Sequence, residues 1–423
     1  MSEVTDLIKK SLKKRKRGEK IFKFYSILGI SSAILFLIII LSSVFLEGKK
    51  AFFNTHIRLN IYFDPSIITP NGNLDEIKDA NFQTLINSSL KEYFPEIKKR
   101  KEIRELRKIV SNGEADALQE FVITQPTLIG KTSFVWIKAA STFDVIHKNP
   151  EMLKLPEEDR LMNNREIRIF ERLKENDDLD FKFNLTFFTA ADSTEPEQAG
   201  IFGSMLGSFF TMLVTLILSF PIAVAAGIFL EELAPKNKLT NFIEVNINNL
   251  AAVPSIIFGL LGLAIFLNFM HLPRSAPIVG GMVLALMTLP TIIIATRASL
   301  KAVPPSIREA ATGLGATKLQ TVTHHVLPLS LPGILTGTII GMSQSLGESA
   351  PLLMIGMVAF IVDPPGNFTD AATVLPVQIY LWKSTAARGF IELTAAGVLV
   401  LLTFLVLMNS FAVYIRKKYE VKW

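Results

Sequence analysis

The chain has 423 residues, 49% of them hydrophobic, no cysteine and a formal net charge of +6, with a mean hydropathy of +0.38. That apolar excess sets aside an ordinary soluble globule, and the lack of cysteine excludes disulfides, thiolate nucleophiles and cysteine-based metal sites. A broad nucleic-acid surface is also excluded, because the whole net charge sits in the first 23 residues, where nine Lys/Arg face three acids. Directly after this basic run comes an uninterrupted apolar stretch, Phe24 to Leu46, long enough to cross ~30 Å of hydrocarbon at about 1.5 Å per residue. A secretory signal would carry an apolar core of about 7–15 residues and a small-x-small cleavage site. Here the run is longer and ends in Phe45-Leu46-Glu47. The expectation is a retained anchor whose basic flank stays in the cytoplasm.

From about Gly48 to Gly200 charges become frequent. Ile57, Leu59, Ile61 and Phe63 alternate with polar neighbours, which predicts a half-buried strand. Phe82–Tyr93 and Ile97–Val110 carry helical spacing, while Thr132–Lys138 and Phe181–Phe188 read as strands. This is a small α+β domain that the anchor places outside the cytoplasm. Gly130-Lys131-Thr132 resembles the end of a phosphate-binding loop, but Gln125 stands where the first glycine is required.

Five further apolar spans follow, at about Met205–Leu230, Leu250–Met270, Ile278–Ala295, Leu331–Leu346 and Leu393–Tyr414. Alternating topology puts Lys236 and Lys238, then Arg297, Lys301, Arg308 and Lys318, then the tail Arg416, Lys417, Lys418 and Lys422 on the cytoplasmic side. The short outer loop between the third and fourth spans holds only Arg274. The fold class expected is an all-α polytopic membrane protein of six transmembrane helices, with the α+β domain inserted after the first. Its divisions are a basic tail (1–23), the anchor (24–46), the extracytoplasmic domain (47–200), the five-helix transmembrane domain (201–415) and a cytoplasmic tail (416–423).

Within the second part, Pro221 marks a kink, and Gly203 and Gly207 form a G-x-x-x-G pair suited to close helix contact. Asp363 to Arg388 is too polar to span; it reads as an outer connection lying on the membrane with Trp382 as interfacial anchor, or meeting a docking receptor. Between the fourth and fifth spans, Ser306 to Pro332 reads as two short helices split by Gly313 and Gly315. Ser306 with Glu309, and Thr317 with Gln320, have the spacing of capping boxes. Such a helix–Gly–helix elbow at a membrane surface is a stiff object for another protein to push on.

The order Glu309-Ala310-Ala311, Gly315, Leu327-Pro328 resembles the EAA–Gly–LP loop of ABC-importer permeases, with His325 standing where an apolar residue is usual. Further stretches resemble the phosphate-permease family PstA: Ile228-Phe229-Leu230-Glu231-Glu232, Val253-Pro254-Ser255-Ile256, Ala302-Val303-Pro304-Pro305-Ser306 and Gly347-Glu348-Ser349-Ala350-Pro351-Leu352. This likeness covers about Pro196 to Ala412. The domain before it resembles the extension carried by a subset of that family, through Asn184-Leu185-Thr186-Phe187-Phe188-Thr189 and Glu195-Pro196-Glu197-Gln198-Ala199-Gly200-Ile201.

The resemblance implies a non-catalytic permease half that moves inorganic phosphate across a bacterial inner membrane, with no cofactor and no metal. Its implied partners are a second, PstC-like permease, a PstB-like ATPase dimer, a PstS-like extracytoplasmic phosphate-binding protein and the lipid bilayer. ATPase coupling would use Ser306, Arg308, Glu309, Ala310, Ala311, Gly313, Gly315, Leu327 and Pro328. Arg308 is expected to meet lipid headgroups or the ATPase, and His324 and His325 read as interface or headgroup residues because no third metal ligand accompanies them. Glu348, Gly347, Ser349, Pro351 and Arg297 are the candidate translocation-pathway residues. A carboxylate in a span is costly and faces a cavity or a partner cation, and Arg297 is the candidate partner for Glu348. Gly347 and Pro351 should interrupt the helix around it. The alternatives are a permease for molybdate or sulfate, and a membrane receptor whose outer domain senses a ligand.

Overall fold

The computed structural model describes residues 2–156, 160–358 and 360–419, so Lys422 of the expected tail lies outside them. The first helix, α1 (Ser2–Gly48), runs the basic segment and the apolar span into one rod. None of its apolar window is buried by the described residues. Its end docks closely: a Cβ on Gly48 would lie 2.8 Å from Leu399 Cδ1 and 3.0 Å from Ala395 C, so glycine lets two helices touch there.

The α+β unit begins at once. Strand β1 (Phe53–Tyr62) is followed by α2 (Pro65–Ile68), α3 (Phe82–Tyr93), α4 (Arg100–Arg107), α5 (Glu114–Thr124), β2 (Thr132–Lys138), α6 (Ser141–Lys148), α7 (Asn164–Glu175), β3 (Leu179–Phe183) and α8 (Leu185–Thr189). The sheet order is β2-β1-β3, with both pairings antiparallel. As the alternation predicts, Ile57, Leu59, Ile61 and Phe63 are fully buried, against a helical layer that includes Leu85, Ile86, Val122, Phe143 and Phe170. Two expected elements shrink. The helix expected over 97–110 keeps only α4, since Val110 leaves it to bridge Ala139. The strand expected over 181–188 stops at Phe183, because Asn184 Oδ1 accepts from Phe187 N (3.2 Å) and caps α8. Gly130, at φ +81°, closes a turn straight into β2, so no helix follows Lys131-Thr132 and the phosphate-loop geometry is absent.

The bundle comprises α9 (Phe202–Ile228), α10 (Lys238–Ala251), α11 (Ser255–Gly262), α12 (Pro277–Lys301), α13 (Pro305–Gly313), α14 (Lys318–Thr321), α15 (Leu327–Leu346), α16 (Ala350–Met354), α17 (Leu375–Ser384) and α18 (Gly389–Tyr419). Among the described residues, five helices are long and apolar enough to cross a membrane, or six if one bent pair counts as a span. The third expected span, 250–270, is the second arm of that pair, and the first arm precedes it. Residues 238–251 and 255–269 meet at 101°, because Pro254 has no N–H to give and drives Val253 out of the helical region.

Glycines set the helix spacing. A Cβ on Gly281 would fall 2.5 Å from Val214 Cβ, and one on Gly227 2.6 Å from Thr296 Cγ2, which locks α9 to α12. Gly333 against Ser299 and Gly337 against Ala295 lock α12 to α15, and that pairing runs antiparallel. Gly207 also marks a close approach, but to the Thr373 carbonyl (2.0 Å for an added Cβ) rather than to a second helix. Trp382 corrects another expectation. It is buried, its Nε1 donates to Asp192 Oδ1 at 3.0 Å, and its ring stacks on Phe390.

The α+β unit is fastened to the bundle by charge. Lys148 Nζ lies 2.5 Å from Asp144 Oδ2 and 2.9 Å from Glu392 Oε2, with all three side chains at most 10% exposed. Asn149 joins the cluster, donating to Glu392 Oε1 (3.3 Å) and accepting from Lys50 (2.7 Å). Helices α6 and α18 and the turn that follows α1 (Lys49–Phe52) thus meet at one point.

Candidate functional site

The elbow is built from α13 and α14. Helix α13 begins at Pro305, whose fixed φ and missing N–H suit a first helical position. Pro304 stands at the cap with φ −57° and ψ 139°, extended as a residue before proline must be. Ser306 is therefore already inside the helix, and the expected Ser306–Glu309 capping box does not form. Glu309 is exposed, and among the described residues its carboxylate makes no ion pair. Ala310 is exposed beside it, and Ala311 is buried underneath.

The second box does form: Gln320 N donates to Thr317 Oγ1 (3.3 Å), and Thr317 N donates to Gln320 Oε1 (2.9 Å). Gly313 closes α13 as its last residue, while Gly315 carries the corner at φ +89°, a left-handed conformation that costs other residues about 1–2 kcal/mol. Its N–H donates to Thr312 O (2.9 Å), and Ala316 N donates to Ala311 O (3.1 Å), which ties off the helix end. Leu314 sits at this corner 91% exposed, with Leu319 also bare. Sequence spacing did not single it out, although an apolar residue between two glycines at a turn is the signal.

Beyond α14 the chain passes without a break through Val322–Val326 into α15, where Pro328 occupies the first turn beside Leu327. Val322 and Val326 are buried, while His324 and His325 face out. Among the described residues no cluster could hold a metal ion.

Arg308 departs from expectation by turning inward. Its Nη2 donates to Glu232 Oε1 (2.5 Å) and Leu300 O (2.8 Å), its Nη1 to Val303 O (2.7 Å), and its Nε reaches Glu232 Oε2 at 3.3 Å. Arg297 is paired nearby with Glu231 (3.3 Å) and Glu244 (2.8 Å), and Lys301 also reaches Glu231 (3.4 Å). These groups edge a cavity of about 580 Å³ shared with Lys236 and Lys238. Sequence reading missed the role of Glu231 and Glu232 because their partners lie more than sixty positions downstream.

At the far end of α15 the helix stops at Leu346, and Gly347, Glu348 and Ser349 interrupt it before α16 opens with Ala350 and Pro351. The break is where Gly347 and Pro351 predict it. Glu348 is half-buried and, among the described residues, makes no ion pair. Gly259 of α11 packs on this break, since an added Cβ would lie 2.7 Å from Pro351 Cα. The expected Arg297–Glu348 pair does not exist. Gly337 lies against Ala295, so Glu348 is eleven residues further along α15 and Arg297 two residues back along α12, a separation of about 20 Å at 1.5 Å per residue.

Two family models match the chain: a domain of unknown function, DUF3333, over residues 9–157, and the binding-protein-dependent transport system inner membrane component over residues 223–421. The probable ABC transporter permease protein YqgI of Bacillus subtilis is 32% identical over 222 residues, covering 52% of this chain and 74% of that protein. The phosphate transport system permease protein PstA of Yersinia pestis is 30% identical over 242 residues, covering 56% of this chain and 80% of its own length. Among solved structures, the inward-facing MetNI methionine ABC transporter is similar over 51% of this chain and 95% of that one, at 20% identity and a TM-score of 0.42.

Proposed function

We infer the function from kinship: the chain belongs to the binding-protein-dependent transport system inner membrane components, and it is a non-catalytic, multi-pass permease subunit of an ABC importer. Its substrate is inorganic phosphate. The observation that carries this reading is the 30% identity to a phosphate permease across 80% of that protein's length. A second permease completes the pathway, a separate ATPase dimer drives it, and a phosphate-binding protein delivers the anion.

Both termini and the elbow lie on the cytoplasmic side, where Lys and Arg accumulate, and the α+β unit of residues 47–200 lies outside. The ATPase seats the elbow through Glu309, Ala310, Leu314 and Leu319, the exposed side chains of α13 and α14. Ser306, Ala311, Gly313, Gly315, Leu327 and Pro328 shape the elbow and its junction with α15. ATP binding closes the ATPase dimer and shifts the elbow, and stiffness at Gly315 and at the Thr317 cap passes that shift on. At the opposite end, Gly347, Glu348, Ser349 and Pro351 form the gate. A helix interrupted inside a membrane protein leaves backbone groups free to line a cavity, and the Glu348 carboxylate there repels phosphate until the gate moves.

In liposomes holding all four subunits, phosphate is expected to stimulate ATP hydrolysis, and excess molybdate or sulfate should leave phosphate uptake unchanged. Glu309→Lys combined with Gly315→Val should abolish uptake while the binding protein keeps its phosphate affinity. Normal uptake by that double variant would refute the docking role.

A further inference from the structure

Helix α9 is the transmembrane helix most extensively packed on α12, yet no stretch of chain joins it directly to the elbow. We propose that Arg308 is the joint through which motion of the elbow reaches α9, by gripping the carboxylate of Glu232 at the end of that helix. The proposal rests on the reading above, in which an ATPase moves the elbow.

The geometry is that of a socket. One planar guanidinium engages a carboxylate of the segment that ends α9 (Phe229–Leu233) and, on its other edge, the carbonyls of Leu300 and Val303 at the end of α12. A fork of five N–H donors in fixed directions suits this task, whereas a lysine ammonium has neither the reach nor the plane. Only 9% of the Glu232 side chain and 26% of the Arg308 side chain reach solvent. Beneath them Ile228 of α9 packs with Val303, Ile307 and Val326. Apolar surroundings strengthen the pair over one in water, and they make a lost partner expensive.

The neighbouring carboxylate adds a second strap. Glu231 is held by Arg297 and Lys301 of α12, and Gly227 lets α9 close on Thr296 just above. The ends of α9 and α12 therefore move as one body, and Arg308 fastens that body to the elbow. A displacement of α13 then has two outlets, one covalent through α14 into α15 and one ionic through Arg308 into α9. Arg308 is thus a positioning residue that faces the chain, while Glu309, next to it, faces the ATPase.

The test uses the complete transporter in liposomes and reads phosphate taken up per ATP hydrolysed. Glu232→Gln keeps the shape of the side chain and removes its charge; the complex should assemble with its ATPase while uptake per ATP falls about tenfold or more, within the usual span of coupling between sites. Arg308→Lys should lower the ratio as well, and Arg308→Gln should add little to Glu232→Gln, because these variants break the same joint. An unchanged ratio in an assembled Glu232→Gln complex would overturn the proposal. Failure of both Glu232→Gln and Arg308→Gln to assemble would overturn it too, since the pair would then hold the fold rather than transmit motion. If the unaltered chain fails to copurify with an ATPase, the permease reading itself falls, which is a separate result.

Discussion

His147 stacks on Phe181 with ring centroids 4.2 Å apart, and its Nδ1 lies 3.1 Å from Thr55 Oγ1. Burial holds the imidazole below its ordinary value, against the pull of Asp144. A histidine whose folded pKa is depressed gives stability that is complete above the unfolded value of about 6.5 and is lost as pH falls toward the folded value. Glu114 and Glu197, pushed up by burial, act with the opposite sign and recover stability as they protonate. The melting temperature of the α+β unit should therefore fall less between pH 7.5 and pH 5.5 in His147→Gln than in the unaltered chain; equal slopes would show that the ring contributes nothing. Single residues were unevenly legible in the sequence. Gly315 and the Thr317 cap were readable, because a positive φ and a T-x-x-Q spacing are local facts. The Ser306 box was misread because Pro305 begins the helix one residue early. Arg308 was misdirected because no local pattern announces a carboxylate seventy-six positions away.

Elements follow the same division. Strand β1, β2 and α3 fall where apolar period predicts, since each buries one face against a single core. The third span, expected over 250–270, survives as the arm 255–269, but the arm 238–251 that Pro254 sets at 101° to it was missed, because hydropathy measures length and not direction. Helix spacing, by contrast, is written in glycines. A side chain at 337 would place its Cβ 2.1 Å from that of Ala295, so Gly337→Val forces α12 and α15 apart at a cost of about 1–3 kcal/mol. Melting of the purified protein in detergent should show the loss, and Ala295→Gly in the same chain should return part of it. No rescue would mean that this crossing does not set the spacing.

On the scale of the whole molecule, the α+β unit is not a tethered bead. Lys148 supplies one ammonium to two carboxylates, one in its own helix and one in α18. Lys148→Met strands Asp144 and Glu392 in a buried site, which should cost about 3–5 kcal/mol. Replacing all three by apolar residues of similar volume should recover most of that, as measured by thermal melting; a single variant as stable as the parent would show that the cluster is solvated. None of this fastening was visible in the sequence, which announced an extra domain but not how it is held. The order of the sheet carries a consequence for biosynthesis. The strand made first, β1, takes the middle place, and its second neighbour is the last strand to be made. A nascent polypeptide must therefore carry β1 with a bare edge until Leu179–Phe183 has been synthesised. During that interval chaperones and proteases have a target that the finished protein no longer offers.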